Sequence, residues 1–380
     1  MKNPEEYRAE FPVTQNYCYF NHAAIAPVPV RVTETLRRFY EEYARIGVAG
    51  YYRWMARVEE ARSRLAGLIK ATPQEVAFVG NTSEGLSAVA TGINWTPGDV
   101  VLVPQPDFPA NIYPWMNLER FGVNVKFYPR HNGHFDPDVV AQALVPRTRL
   151  LAVSSVDYIT GFRCDLAGLG DFCRHRGLLL CVDAIQSLGV IPLDVKACGI
   201  HFLVAGSHKW LLGPMGCGCL YVAEEAASLV RPAHVGWKSV VHEDDFSHIE
   251  LKLKTGARAF ESGTQNVAGI LALGEAVGLL TEVGLQQVSD RVLNLNSILY
   301  QGLQDRHLKV ISPQGKDERS GILTFDIPGD PQALFQFFID QNVSVSLRDG
   351  HIRLSPHFYN QEADAASFFE ALDKFMGNGS

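Results

Sequence analysis

The chain has 380 residues, 47% of them hydrophobic, 10% aromatic and 20% charged, an ordinary globular composition that excludes a largely disordered or fibrous protein. At roughly 150 residues per domain, this length predicts two or three domains. With 34 basic against 41 acidic residues, a net charge of −7 and no Lys/Arg run, the chain is expected to bind neither nucleic acid nor an anionic membrane.

The first six residues, Met1-Lys2-Asn3-Pro4-Glu5-Glu6, lack the apolar core of a signal peptide, and a cytoplasmic protein is expected. No apolar stretch approaches the roughly 20 residues of a spanning helix; the longest, Gly177 to Ile185, is interrupted by Asp183. Residues 1–20 are expected to pack on the C-terminal domain. From about residue 60 to 225, short apolar runs at 75–79, 100–103, 123–128, 150–153, 178–182, 202–205 and 217–222 read as strands. Helical patterns lie between several of them, as in Leu86, Val89, Ala90 and Ile93 at i, i+3, i+4, i+7. Near-continuous apolar strands alternating with helices predict a mostly parallel sheet covered on both faces. Residues 21–255 therefore read as one large α/β domain, with 226–255 as an irregular polar connector beside the active site. After residue 255 come two long helical patterns at 267–281 and 285–303, a strand at 322–327 and a helix at 332–340. A strand at 343–347, an Asp349-Gly350 turn and a strand at 352–354 follow; Asp-Gly between two short apolar runs signals a hairpin. A last helix carries Phe368, Phe369, Leu372 and Phe375. Residues 256–380 read as a smaller α+β domain.

Seven cysteines, at 18, 164, 173, 181, 198, 217 and 219, fall largely within apolar runs and read as reduced, buried thiols. Cys217 and Cys219 have no second Cys/His pair to make a zinc site, so no metal is expected. No cysteine follows residue 219.

The most informative stretches begin where two apolar strands end: Cys181-Val182-Asp183-Ala184-Ile185-Gln186-Ser187 and Ala205-Gly206-Ser207-His208-Lys209-Trp210. Ligands of parallel α/β sheets sit at the carboxyl ends of strands, so Asp183 and Lys209 are expected to face one crevice. Taken alone, such a pair is more often an ion pair or two solvent-facing groups. Here Lys209 also follows Ser207-His208 and precedes a Gly/Pro-rich turn, Leu211-Leu212-Gly213-Pro214-Met215-Gly216. With these motifs the chain resembles the class V aminotransferase and cysteine desulfurase family of pyridoxal-phosphate (PLP) enzymes, over roughly residues 17–360. That resemblance implies the fold type I architecture: a large domain with a mostly parallel seven-stranded sheet, and a smaller α+β C-terminal domain.

The resemblance also implies residue roles, and the chemistry explains the residue types. PLP joins a lysine amine as an imine and acts as an electron sink for a carbanion at the substrate's Cα. Lys209 is the catalytic lysine so implied, able to move a proton at Cα once freed. Asp183 would hold the proton on the pyridine nitrogen by favouring its charged form, and Gln186 would hydrogen-bond the ring's phenolic oxygen. Asn81-Thr82-Ser83-Glu84 joins a strand to a helix with a capping-box-like start. Its free N–H groups suit an anion, and Thr82 and Ser83 match the family's phosphate ligands, joined by His208. Gly263-Thr264 resembles the Gly-Thr that reaches the phosphate of the neighbouring subunit's cofactor, implying a homodimer with composite sites, although Gln265 replaces a common Pro. Phe108 in Asp107-Phe108-Pro109 is expected to stack on the ring. In the desulfurase branch a His stands there, whereas kynureninases carry a Phe-Pro pair. Ser155 lies where many members carry an Asn near the phenolic oxygen. Arg353 matches the arginine that holds the amino acid's α-carboxylate, and Asn21 and His22 match the N-terminal substrate-side segment. Tyr113, Trp237, His234 and Arg258 are further candidates for the pocket that reads the side chain.

Desulfurases of this family need a thiolate on a loop just before that arginine. The segment Leu347-Arg348-Asp349-Gly350-His351-Ile352-Arg353 has neither the cysteine nor the loop, so the desulfurase reaction is disfavoured. Transamination is expected, because it asks only for a proton shuttle by Lys209. The runner-up is a C–S or C–C lyase resembling cystine lyases or kynureninases, ahead of an epimerase or a catalytically silent member of the fold.

Overall fold

Residues 4–130 and 137–377 are described by the computed structural model. In chain order the first elements are β1 (Cys18–Tyr19), α1 (Val30–Ile46), α2 (Tyr51–Leu68), β2 (Val76–Val79), α3 (Thr82–Gly92), β3 (Val100–Gln105) and α4 (Tyr113–Met116). Then come β4 (Asn124–Pro129), α5 (Pro137–Ala143), β5 (Thr148–Ser154), α6 (Leu166–Arg176), β6 (Leu179–Asp183), β7 (Phe202–Gly206) and β8 (Gly218–Val222). The remainder is α7 (Val267–Val283), α8 (Leu285–Gln304), β9 (Leu323–Phe325), α9 (Pro331–Asp340), β10 (Val343–Ser344), β11 (Ser346–Arg348), β12 (His351–Leu354) and α10 (Glu362–Gly377).

The seven apolar runs form one sheet in the order β2-β8-β7-β6-β5-β3-β4. Its strands are parallel except β8, which runs antiparallel to both neighbours. Residues of β6, β7 and β8 are buried throughout, as expected where helices cover both faces and no strand side meets water. β4, at the edge, is only half-buried. This arrangement matches the mostly parallel seven-stranded sheet that the resemblance implies. The carboxyl ends of β6 and β7 lie side by side, because Asp183 pairs in register with Val204.

Two glycines let elements approach that edge closely. A Cβ on Gly85 of α3 would lie 2.4 Å from Val204 Cγ1, so the helix seats directly on β7. Gly189, at φ +105°, leaves the left-handed turn after β6 lying against the Trp210 carbonyl, where a Cβ would come within 2.2 Å.

The small sheet has the order β11-β12-β9, antiparallel throughout. The Asp349-Gly350 turn joins β11 and β12, with Asp349 and Gly350 both at positive φ. The run read as one strand over 343–347 divides at Val345. Val343–Ser344 pairs in parallel with β1 while Ser346–Arg348 pairs with β12, so one short apolar run serves two sheets.

The N-terminal segment is tied down on both sides of the molecule. Arg8 makes a two-pronged ion pair with Asp364 of α10 at 2.8 Å, and Phe11 stacks on Tyr359 with centroids 3.7 Å apart. Tyr7 donates to Glu282 of α7. The main core runs from the sheet through α7 (Ile270, Leu273, Val277, Leu280) to Val288 and Val292. A second core gathers Phe20, Leu299, Phe325, Phe338, Ile352 and Phe368. Helix α8 thus contributes to both cores. Periodicity reveals a helix but not the surface that buries it, and α7 packs on α1 and α2. Among the described residues, no single helix is long and apolar enough to cross a membrane.

Candidate active site

Asp183 ends β6, and Lys209 stands just beyond the end of β7. Both line a cavity of about 410 Å³ at the carboxyl edge of the sheet, as do Thr82, Ser83, Phe108, Gln186, His208 and Arg353. Two larger surface depressions, of about 1110 and 1050 Å³, contain none of these residues, so chemistry rather than volume marks the site.

The electrostatics of the pair follow from burial. The Asp183 carboxylate accepts from the Ile185 N–H at 3.0 Å. Burial pushes its pKa up to about 7, the Ile185 bond opposing, Asp107 adding and Lys209 opposing. Burial likewise draws the Lys209 amine down to about 8; Asp183 opposes, while Arg353 and Arg348 push the same way. An amine so placed is partly neutral, and hence nucleophilic, near physiological pH.

Around this pair the walls divide by element. The N-terminus of α3 supplies one end. Asn81 caps it by accepting from the Glu84 N–H at 2.9 Å, while Glu84 reaches back to the Gly80 N–H at 3.0 Å. The Thr82 hydroxyl accepts from the Gly206 N–H at 3.0 Å, leaving its own O–H to donate. His208 stands beside them, its pKa lowered by burial and then by Lys209. Phe108 is 43% exposed, with its ring centroid 5.7 Å from Lys209 Nζ and packed edge-on against Tyr158. Its backbone N–H donates to Asp107, which also holds Ser154 and Asn111. Gln186 is clamped: its amide donates to the Ala23 carbonyl at 3.0 Å and accepts from the Trp210 indole at 2.9 Å.

Arg353, on β12, closes the other end. It is 1% exposed and donates to the Tyr158 carbonyl at 2.6 Å and to the Ser346 hydroxyl at 3.3 Å. Its Nε is buried with no hydrogen-bond partner, and among the described residues no carboxylate lies within ion-pair distance. Burial, then Arg348, lowers its pKa to about 9. A buried guanidinium left in that state is built for an anion that comes and goes.

A family model, Aminotransferase class-V, matches residues 18–366. The chain belongs to the class V aminotransferase family. A probable cysteine desulfurase of Methanothermobacter thermautotrophicus is 28% identical over 99% of this chain and 98% of that protein. An uncharacterized aminotransferase of Bacillus subtilis, YcbU, is 29% identical over 95% of each. The apo cysteine desulfurase of Thermococcus onnurineus NA1 superposes with a TM-score of 0.91 at 25% identity, over 100% of this chain and 99% of that one.

The cofactor of this class V protein is pyridoxal phosphate, and the cavity fits it. A nucleophilic lysine faces a buried carboxylate, an aromatic face stands beside the amine, and a helix N-terminus offers free N–H and hydroxyl donors. The unpartnered Arg353 Nε suits the carboxylate of an amino acid.

Three residues expected at the site of this class V protein do not line the cavity, and Thr264, expected at the cofactor of a neighbouring subunit, lies outside the cavity of its own chain. Ser155 is buried behind the cavity, its hydroxyl bonded to the Asp183 carbonyl at 3.1 Å and to Ser187 at 2.6 Å. Asn21 donates to the Val345 carbonyl and accepts from Ser346, so it reaches Arg353 only through that hydroxyl. His22 is fully buried, its ring nitrogens engaged by the Ser355 carbonyl at 2.8 Å and the Tyr359 hydroxyl at 2.7 Å. Burial, then His357, holds it well below the usual histidine pKa, and it does not line the cavity. Thr264 lines a separate depression of about 220 Å³ with Gly80, Glu84 and Gly216. Tyr113, His234, Trp237 and Arg258 do not line the cavity either, and Arg258 pairs with Glu59. Conversely Ala23, Ala24, Ile25, Asn81, Ala110, Tyr158 and Arg348 do line it. For Arg348 a signal existed in the sequence: two residues after Ser346 on a hairpin strand, it must share that residue's face. All seven cysteines are free thiols, and none lines the cavity.

Proposed function

We propose that this chain is a pyridoxal-phosphate aminotransferase that acts on an α-amino acid, as a cytoplasmic homodimer. The observation that carries the reading is one cavity holding a depressed-pKa lysine, a buried carboxylate and a buried arginine without an acid partner. When bound, the cofactor supplies an electron sink for charge developing at the substrate's Cα. Asp183 holds the ring nitrogen in its charged form, Phe108 covers the ring face, and Thr82, Ser83 and His208 hold the phosphate. Arg353 grips the α-carboxylate and so orients Cα toward Lys209. Lys209 then takes and returns the proton at Cα, a task its lowered basicity suits near pH 8. Thr264, outside the cavity of its own chain, is left to reach the phosphate in a second copy. Free thiols throughout the chain fit a reducing compartment.

A second reading, a C–S lyase, is favoured by the relatives named cysteine desulfurase. Persulfide formation on this chain's own thiol is disfavoured, since no cysteine lines the cavity and burial raises the pKa of Cys164, Cys173, Cys217 and Cys219 alike to about 12. A lyase of this site would release its sulfur product directly.

Purified holoprotein should absorb in the visible range, the band being lost on borohydride treatment and missing from Lys209→Ala. Amino acids then separate the readings. A keto acid formed while the cofactor passes to its amine form means transamination; pyruvate with ammonia and sulfide means the lyase. A colourless protein that no added cofactor restores would sink both.

A further inference from the structure

Strand pairing sorts the small sheet into two chemically opposite faces. Ser346 stands opposite Arg353, Arg348 opposite His351, and Thr324 opposite Arg353 on the other side. Alternation puts Thr324, Arg353, Ser346, Arg348 and His351 on one face. The intervening residues, Leu323, Phe325, Leu347, Ile352 and Leu354, pack into the second core. The polar face turns toward the catalytic cavity, where both Arg348 and Arg353 form part of the wall.

On that face every group but the two arginines is committed, and Arg353 keeps only its Nε free. Thr324 donates to the Ile159 carbonyl, Ser346 bridges Asn21 and Arg353, and His351 is bonded to Asp326. Arg348 has only a bond to the carbonyl of its neighbour Leu347, at 3.0 Å. Among the described residues it makes no ion pair, although it lines a cavity. Of the carboxylates around this wall, Asp157 accepts from the Ile159 and Thr160 N–H groups and from the Thr160 hydroxyl, and Asp107 holds Phe108, Asn111 and Ser154; Asp349, next in the turn, makes no ion pair with Arg348 among the described residues. Diagonal positions on an antiparallel pair lie about 7–8 Å apart, so two long guanidinium side chains there can close on the two ends of one small dianion. Among the described residues, Asp183 is the single carboxylate lining the cavity, against Lys209, Arg348 and Arg353.

We infer that the cavity takes amino acids whose side chain ends in a carboxylate, with Arg348 receiving that distal group while Arg353 receives the α-carboxylate. The inference rests on the proposed role of Arg353. It assigns Arg348 to side-chain selection, a task that an uncharged substrate would leave without purpose.

Unreactive acids test it without requiring any turnover. Succinate, glutarate and butyrate are titrated into the holoprotein, with binding followed by calorimetry and by the cofactor's absorbance. One of the dicarboxylates should bind about tenfold more tightly than butyrate, the scale of one charge-assisted bond at a partly exposed site. Arg348→Gln should bring that ratio close to one, and Arg348→Lys should keep part of it. Arg353→Gln should weaken all three acids. A ratio near one in the unaltered protein, or one that survives Arg348→Gln, overturns the distal subsite and leaves the role of Arg353 standing. Acids indifferent to Arg353→Gln, or no binding at all, overturn the α-carboxylate site itself and the subsite with it. Melting temperatures are measured beside the titrations: the Arg348 variants, at the exposed hairpin tip, should melt with the unaltered protein, and Arg353→Gln is compared only while it stays folded.

Discussion

Asp183 and Lys209 each carry a charge that their surroundings penalise, and the direction of each penalty sets a pH signature. Asp183 has a folded pKa raised to about 7 from 3.8. The folded protein therefore holds a proton that the unfolded chain releases between those values, and stability falls as pH rises through that window. Lys209 has the opposite sign: its pKa, lowered to about 8 from 10.5, makes the folded state gain stability as pH rises between those values. Apoprotein carrying Asp183→Asn should thus gain melting temperature relative to the unaltered apoprotein as pH is raised from 4 to 7, by several degrees, while holding the cofactor more weakly. Thermal melts of cofactor-free protein check this, and a difference that shrinks with rising pH would contradict the buried-charge account. At Arg353, replacement by Lys keeps a charge but loses the planar fork. We expect KM for the amino acid to rise about 10–100-fold, with the cofactor band intact.

At the scale of elements, the site depends on where strands and helices end. The N-terminus of α3 is held by Asn81 and Glu84 in reciprocal bonds to backbone N–H groups. Asn81→Ala should cost about 1 kcal/mol of stability and weaken cofactor binding, measured by equilibrium dialysis beside denaturant unfolding. Gly85 matters as much, since even a methyl group there would meet Val204 at 2.4 Å. Gly85→Ala should lower stability by about 1–3 kcal/mol and lift the phosphate end of the cavity off β7. The hairpin of β11 and β12 shows what alternation can and cannot tell. It fixes which residues share a face, so Arg348 could have been grouped with Arg353 beforehand. It does not say which face meets the second core, and the division of 343–347 between two sheets depends on β1, more than 300 residues away in the chain.

Across the whole molecule, long-range ion pairs and buried faces set the positions of these elements. Arg62 of α2 is 1% exposed and meets Glu261 at 2.6 and 3.0 Å; the same carboxylate accepts from the Phe78 N–H of β2 at 2.8 Å. It thereby pins the segment that leads to Thr264. Glu261→Ala should destabilise the protein by about 3 kcal/mol, the lower end for a broken buried pair, because Glu59 still meets Arg62 at 3.1 Å. Denaturant unfolding of the holoprotein measures it. The amino-acid sequence by itself determined the seven apolar strands, the lysine and carboxylate at neighbouring strand ends, the capped helix start and the lack of a thiol near Arg353. All of these are written in local periodicity and in spacing along the chain. The tertiary structure alone decided that His22 is a satisfied core residue, that Ser155 and Asn21 stand behind the cavity wall, that α7 belongs to the main core, and that two arginines line the cavity without acid partners. Each of these turns on what a side chain finds opposite it, and that partner is supplied by chain distant in sequence and brought near only by folding.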